Sequence, residues 1–134
     1  LSRYLLDTNI ASHVIRGDQP NLTRRLAALP TSEIAISVIT EAELLYGVAR
    51  RGYPAALTER VRQFLLRVDV LTWDRSAARS CAEFRTSCAA IGITLAPLDL
   101  MIAAHAIAAD HLLVTRDQAF ARAPGPLQTQ DWTA

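Results

Sequence analysis

The sequence predicts an α/β domain of three layers, α/β/α, around a parallel central sheet, and three observations carry that prediction. Short apolar runs recur along the 134 residues, with stretches of helical periodicity between them. The runs, such as Tyr4-Leu5-Leu6 and Leu112-Leu113-Val114, show little polar alternation, the mark of strands buried on both faces. Glycine or proline stands at most of the helix ends, where a chain reverses. In sheets of this kind ligands bind outside the carboxyl ends of the strands.

Tyr4-Leu5-Leu6 reads as the first strand, and Thr8 to Arg16 as a helix stopped by Gly17. Leu22 to Leu29 forms a second short helix, ended by Pro30, and Ile34-Ala35-Ile36-Ser37 a second strand. Val38 to Arg51 is helical and closed by Gly52; Pro54 opens the next helix, to about Arg67, since proline suits a first turn. Val68 to Trp73 is strand-like. Asp74 to Ile91 gives the clearest helix, with Ala77, Cys81, Phe84, Cys88 and Ile91 at three- and four-residue steps on one face. Gly92 ends it. Pro97 precedes a helix from about Leu98 to Ala109, and Leu112 to Val114 is the last strand, ending at Thr115. The tail to Trp132 reads as irregular.

At this length and with 51% hydrophobic residues, one domain over residues 1–134 can bury a core of its own. No run reaches the roughly 18 apolar residues of a membrane span. The apolar run that begins at Leu1 stops at Asp7, too early for a signal peptide. Cys81 and Cys88, seven apart in a helical pattern, are separated by about 10.5 Å along the axis, beyond the ~7 Å between Cα atoms that a disulfide tolerates. They read as reduced core thiols, consistent with the cytoplasm. The net charge is +1, and every basic residue is arginine. With four acids set aside, fourteen arginines face nine acids, a balance of +5, which suits a polyanion; a mixed solvated surface accounts for it equally well.

Those four acids stand at matching places. Asp7 follows the first strand, Glu43 lies early in the helix after the second, Asp99 in the first turn after Pro97, and Asp117 two residues beyond the last strand. Singly, each has a plain explanation: a helix cap for Asp7, a helix-dipole partner for Asp99, an Asx-turn for Asp117, a solvated helix residue for Glu43. Glu41 rivals Glu43, and periodicity does not choose between them, although Gly47 would leave room beside Glu43. Together, on a parallel sheet, the four can converge. Crowded carboxylates raise one another's pKa, and a hard cation such as Mg²⁺ or Mn²⁺ relieves that repulsion. A metal held this way supports phosphodiester hydrolysis.

The motifs carrying these acids resemble those of PIN domains. Tyr4-Leu5-Leu6-Asp7-Thr8-Asn9 is similar to the opening motif, Glu43-Leu44-Leu45-Tyr46-Gly47 to the second, Pro97 through Ala104 to the third, and Leu113-Val114-Thr115-Arg116-Asp117 to the fourth. Asp99 and Asp117 are eighteen residues apart, as the family spaces them. The likeness spans essentially the whole chain and is nearest to VapC toxins. It implies that Asp7, Glu43 and Asp99 bind Mg²⁺ or Mn²⁺, that Asp117 completes the cluster, and that the Thr115 hydroxyl orders the site. It also implies an endoribonuclease toxin that cleaves RNA, often tRNA, is neutralised by a VapB-type antitoxin, and forms a homodimer. The stretch from Leu127 to Asp131-Trp132 resembles the tail of the subgroup that cleaves initiator tRNA.

His13, His105 and His111 form no ligand pair at helical spacing and read as structural or surface residues. Trp73 and Trp132 read as packing residues. Arg24, Arg25, Arg50, Arg51 and above all Arg116 are candidates for RNA phosphates. Two other readings compete. In a haloacid-dehalogenase-like phosphatase or phospho-acceptor domain Asp7 would be the nucleophile, but the position two further on is Asn9 and the chain has no lysine. In a non-catalytic RNA- or protein-binding domain the acids would be caps or partner contacts.

Overall fold

The computed structural model describes residues 3–134; Leu1, where the apolar run begins, lies outside the described residues. Five strands form one parallel sheet in the order β3-β2-β1-β4-β5. They are β1 (Tyr4–Leu6), β2 (Ile34–Ser37), β3 (Asp69–Leu71), β4 (Leu112–Val114) and β5 (Thr129–Gln130). The helices are α1 (Thr8–Arg16), α2 (Pro20–Ala27), α3 (Val38–Arg50), α4 (Ala55–Arg67), α5 (Arg75–Ala90) and α6 (Pro97–Ala108), with 3-10 turns at Thr31–Glu33 and Gln118–Arg122.

The strand register explains the three layers. Leu6 pairs with Ile36 and Val114, and Leu5 with Ala35 and Leu113. Successive strand residues point to opposite faces. The Leu6 row therefore enters one core, with Ile10, Leu22, Leu44, Val48 and Phe64 from α1 to α4. The Leu5 row enters the other, with Phe84 and Cys88 of α5 and Ile102, Ala103 and Ala106 of α6. Both cores are apolar, which is why the strand sequences show no alternation. The chain leaves β1 toward β2 and β3 and returns on the other side for β4 and β5. The β1/β4 junction is thus the switch point of the topology, where parallel sheets leave a crevice.

The structure departs from the sequence-based expectations in three places. Ile91, expected on the buried face of α5, is 56% exposed. The helix stops at Ala90 in a Schellman turn, with Gly92 at φ +75° and the Gly92 and Ile93 amides donating to Ala89 and Cys88. That turn brings Ile93 against the core instead. The tail is not wholly irregular: β5 pairs with β4, Leu113 opposite Thr129 and Val114 opposite Gln130. Its two residues are exposed, so no apolar pattern announced them. The second helix starts at Pro20, in the first-turn position that proline favours, two residues earlier than expected. Cys81 and Cys88 are free thiols, Cys88 buried, as the spacing required. Among the described residues no helix is long and apolar enough to cross a membrane.

Candidate active site

Asp7 leaves β1 in an extended conformation and caps α1, its Oδ1 accepting from the Ile10 amide at 2.8 Å. Its own amide donates to the Val114 carbonyl, which ties it to the end of β4. One residue on, the Thr115 hydroxyl donates to Asp7 Oδ2 at 2.5 Å and accepts from the Asp117 amide at 3.1 Å. Both residues are buried, Asp7 at 6% and Thr115 at 4% exposure. Asp117 caps the following 3-10 turn through the Ala119 amide. Asp99 sits in the first turn of α6. These positions converge: Asp7, Asp99 and Asp117 line one cavity of about 410 Å³, together with Asn9, His13 and Arg116.

Glu43 projects from α3 into an adjoining cavity of about 360 Å³ that it shares with Thr8. The Thr8 hydroxyl donates to Glu43 Oε1 at 2.6 Å, so the Thr40 hydroxyl, 3.0 Å away, is the donor to Thr8. This chain of hydroxyls anchors Glu43 one residue from Asp7. Glu41, in the first turn of α3, lines neither cavity. Of the two glutamates that helical periodicity left open, only Glu43 lines one of these cavities and meets the Thr8 hydroxyl. A larger, mostly apolar cavity of about 470 Å³ between α2 and α4 contains none of the four acids.

The electrostatics join the two cavities. Burial pushes the Asp7 carboxyl up from its ordinary 3.8; the Thr115 and Ile10 hydrogen bonds oppose this, and the charges of Asp99 and Asp117 add to it. Asp99 is also raised, first by burial, then by Asp117 and Glu43. All four carboxylates therefore lie in one field of mutual repulsion. Among the described residues no three of them are already drawn to ligand distance around one point. A hard cation is what such oxygen donors accept, and it relieves their repulsion.

Arg116 supplies the opposite charge on the cavity wall. Its Nη1 lies 3.3 Å from His13 Nε2, and His13 Nδ1 lies 2.8 Å from Asp18 Oδ1. With the imidazole proton on Nδ1, donated to Asp18, Nε2 accepts from Arg116. Hydrogen bonds from His13 and Arg16 hold Asp18 below the usual carboxylate range. His13, read from sequence as structural or surface, thus borders the acid cavity. Apart from Arg16, one turn on in α1, its partners come from the β4 end and from beyond the helix, which helical spacing does not signal. His105 is structural. It is buried, with Nδ1 accepting from the Ser37 hydroxyl and Nε2 donating to the Thr72 carbonyl, and burial lowers its pKa. Trp132 is a packing residue, edge-on to Tyr4 and beneath the Arg25 guanidinium.

The PIN domain profile matches residues 4–126. The chain belongs to the PIN-domain family, and within it to the VapC group. Over 131 residues it is 32% identical to the tRNA(fMet)-specific endonuclease VapC of Shigella flexneri, covering 98% of each chain. To the tRNA(fMet)-specific endonuclease VapC of Salmonella typhimurium it is 34% identical, covering 97% of this chain and 98% of that one. DNA-bound VapBC from Salmonella typhimurium is a structural neighbour with a TM-score of 0.90 and 32% identity, over 98% of this chain and 99% of the other. VapBC2 from Rickettsia felis, bound to a DNA fragment from their promoter, has a TM-score of 0.88 and 32% identity, over 96% and 98%.

Proposed function

We propose that this protein is a Mg²⁺- or Mn²⁺-dependent endoribonuclease toxin that hydrolyses phosphodiester bonds of tRNA, initiator tRNA in particular. One observation carries the reading: Asp7, Asp99 and Asp117 meet in one cavity at the β1/β4 switch point, and the charge of Glu43 reaches Asp99. The names of the relatives from Shigella flexneri and Salmonella typhimurium support the substrate. The VapBC neighbours support a VapB-type antitoxin as the neutralising partner. The homodimer and action in the cytoplasm belong to the same proposal.

Asp7, Glu43, Asp99 and Asp117 would hold the cation. When bound, it supplies Lewis-acid stabilisation of charge on the phosphoryl and leaving oxygens and makes water more acidic. The protein's own contribution is orientation. Two hydrogen bonds hold the Asp7 carboxylate, one on each oxygen, where it lines the cavity. Thr115 couples that carboxylate to the Asp117 backbone, so the two acids keep their relation. Arg116 offers a guanidinium to the substrate phosphate within the same cavity, steadied by His13.

Cleavage-end mapping on bulk tRNA tests the proposal, with wild type and Asp7→Asn side by side, in Mn²⁺ and in EDTA. The expected products carry 5′-phosphate and 3′-hydroxyl ends, formed only by wild type and only with Mn²⁺. Full activity of Asp7→Asn, or cleavage undiminished in EDTA, would contradict it.

A further inference from the structure

Beyond the acid cavity, the adjoining cavity has the make-up of a second subsite. Glu43, Tyr46, Gly47 and the arginines Arg16, Arg50 and Arg51 line it. Arg16 is paired with Asp18, whereas Arg50 and Arg51 are exposed and no acid neutralises them among the described residues. Tyr46 is 68% exposed, a ring with no packing duty in the fold. Glu43, Gly47 and Arg50 follow at steps of four and three along α3, one face of a helix.

Gly47 gives the independent observation. It lies inside α3 with no left-handed backbone to justify a glycine, and a Cβ built there meets nothing within 4 Å. Neither turn geometry nor packing asks for a residue that weakens a helix interior. What the missing side chain does provide is clearance along the floor of the cavity, between the acid that adjoins the reaction centre and the two free guanidinium groups.

We infer that this groove is the track of the RNA strand beside the scissile phosphate. Arg50 and Arg51 bind backbone phosphates, Tyr46 stacks on a base, and Gly47 leaves room for the strand to pass. The inference rests on the ribonuclease reading and deepens it. From Glu43 to Arg50 and Arg51 is roughly 10–12 Å along the helix, about three nucleotides at the ~3.4 Å rise of a stacked strand. Two phosphate contacts by arginine are a salt-dependent, sequence-independent source of affinity, and stacking on an aromatic ring is tolerant of base identity.

The test is fluorescence anisotropy of labelled bulk tRNA and of a ten-nucleotide single-stranded RNA, in EDTA so that no cleavage occurs. Proteins are wild type, Arg50→Ala/Arg51→Ala and Gly47→Leu, each checked by circular dichroism and size-exclusion chromatography. The double variant should bind at least ten-fold more weakly at low salt, and the slope of log affinity against log salt should flatten by about 1.4, two contacts at ~0.7 each. Gly47→Leu should melt no lower than wild type yet lose affinity. Unchanged affinity and slope in the double variant would overturn the inference. So would a wild type that binds neither RNA, or a double variant whose only change is its oligomeric state, which would make the groove a contact between copies of the chain. Because the readout is binding without metal, a failure of the nuclease reading shows separately, as absent Mn²⁺-dependent cleavage by wild type.

Discussion

Replacing Thr115 by valine keeps the shape of the side chain and deletes the hydroxyl that joins β4 to the end of β1. Two hydrogen bonds go with it. The bond to the buried Asp7 carboxylate, at 2.5 Å, is charge-assisted and worth about 1.5–3 kcal/mol. The bond from the Asp117 amide, at 3.1 Å, is an ordinary one of about 0.5–1.5 kcal/mol. Together Thr115→Val should cost about 2–4.5 kcal/mol. Thr115→Ser keeps the hydroxyl and loses only a buried methyl, about 0.5–1.5 kcal/mol by analogy with Ile→Val. The more apolar variant should therefore be the less stable one, against the usual trend for a buried position. Urea unfolding in EDTA reads the difference as a midpoint lower by about 1 M for valine than for serine, at a slope of ~1–3 kcal/mol/M. With Mn²⁺ present, RNA cleavage by Thr115→Val should fall about 10–100-fold, the usual effect of removing a group that orients a metal ligand. Valine as stable and as active as serine would refute the claim that this hydroxyl organises the site.

The Asp7 carboxyl titrates above its ordinary 3.8. Its contribution to stability is therefore complete below that value and lost as pH rises through the folded-state pKa. Asp7→Asn cannot ionise, so in EDTA its stability relative to wild type should increase from acid to neutral pH; a difference that shrinks or stays flat in urea titrations across that range would contradict this. Trp132 is 2% exposed, against Tyr4 and beneath Arg25. Trp132→Ala should cost about 3–5 kcal/mol, read by chemical denaturation, and a change under 1 kcal/mol would show that the tail does not brace the sheet.

Much of this was legible in the sequence because local signals and tertiary needs agreed. The runs Tyr4–Leu6, Ile34–Ser37 and Leu112–Val114 are strands at their expected bounds, since sheets covered on both faces demand unbroken apolar residues. Asp7 proved to be both the helix cap that a lone aspartate suggests and a member of the acid group; its two oxygens serve different neighbours. What sequence did not reveal depends on contacts between distant segments. Strand β5 has only exposed Thr129 and Gln130, and it exists because the Leu113 and Thr115 amides find carbonyl partners at Gln128 and Gln130. His13 meets Arg116 across 103 positions, a distance no periodicity reaches. Glu43 differs from Glu41 in its hydrogen bond to Thr8, a partner 35 positions away.

Titration of the metal-free protein with Mn²⁺ by isothermal calorimetry tests most directly whether these carboxylates act as one cation-binding group. Wild type should take up the ion, and Asp99→Asn, which removes a charge coupled to both Asp117 and Glu43, should bind at least ten-fold more weakly while keeping its fold. No uptake by wild type, or equal uptake by the two proteins, would contradict the account.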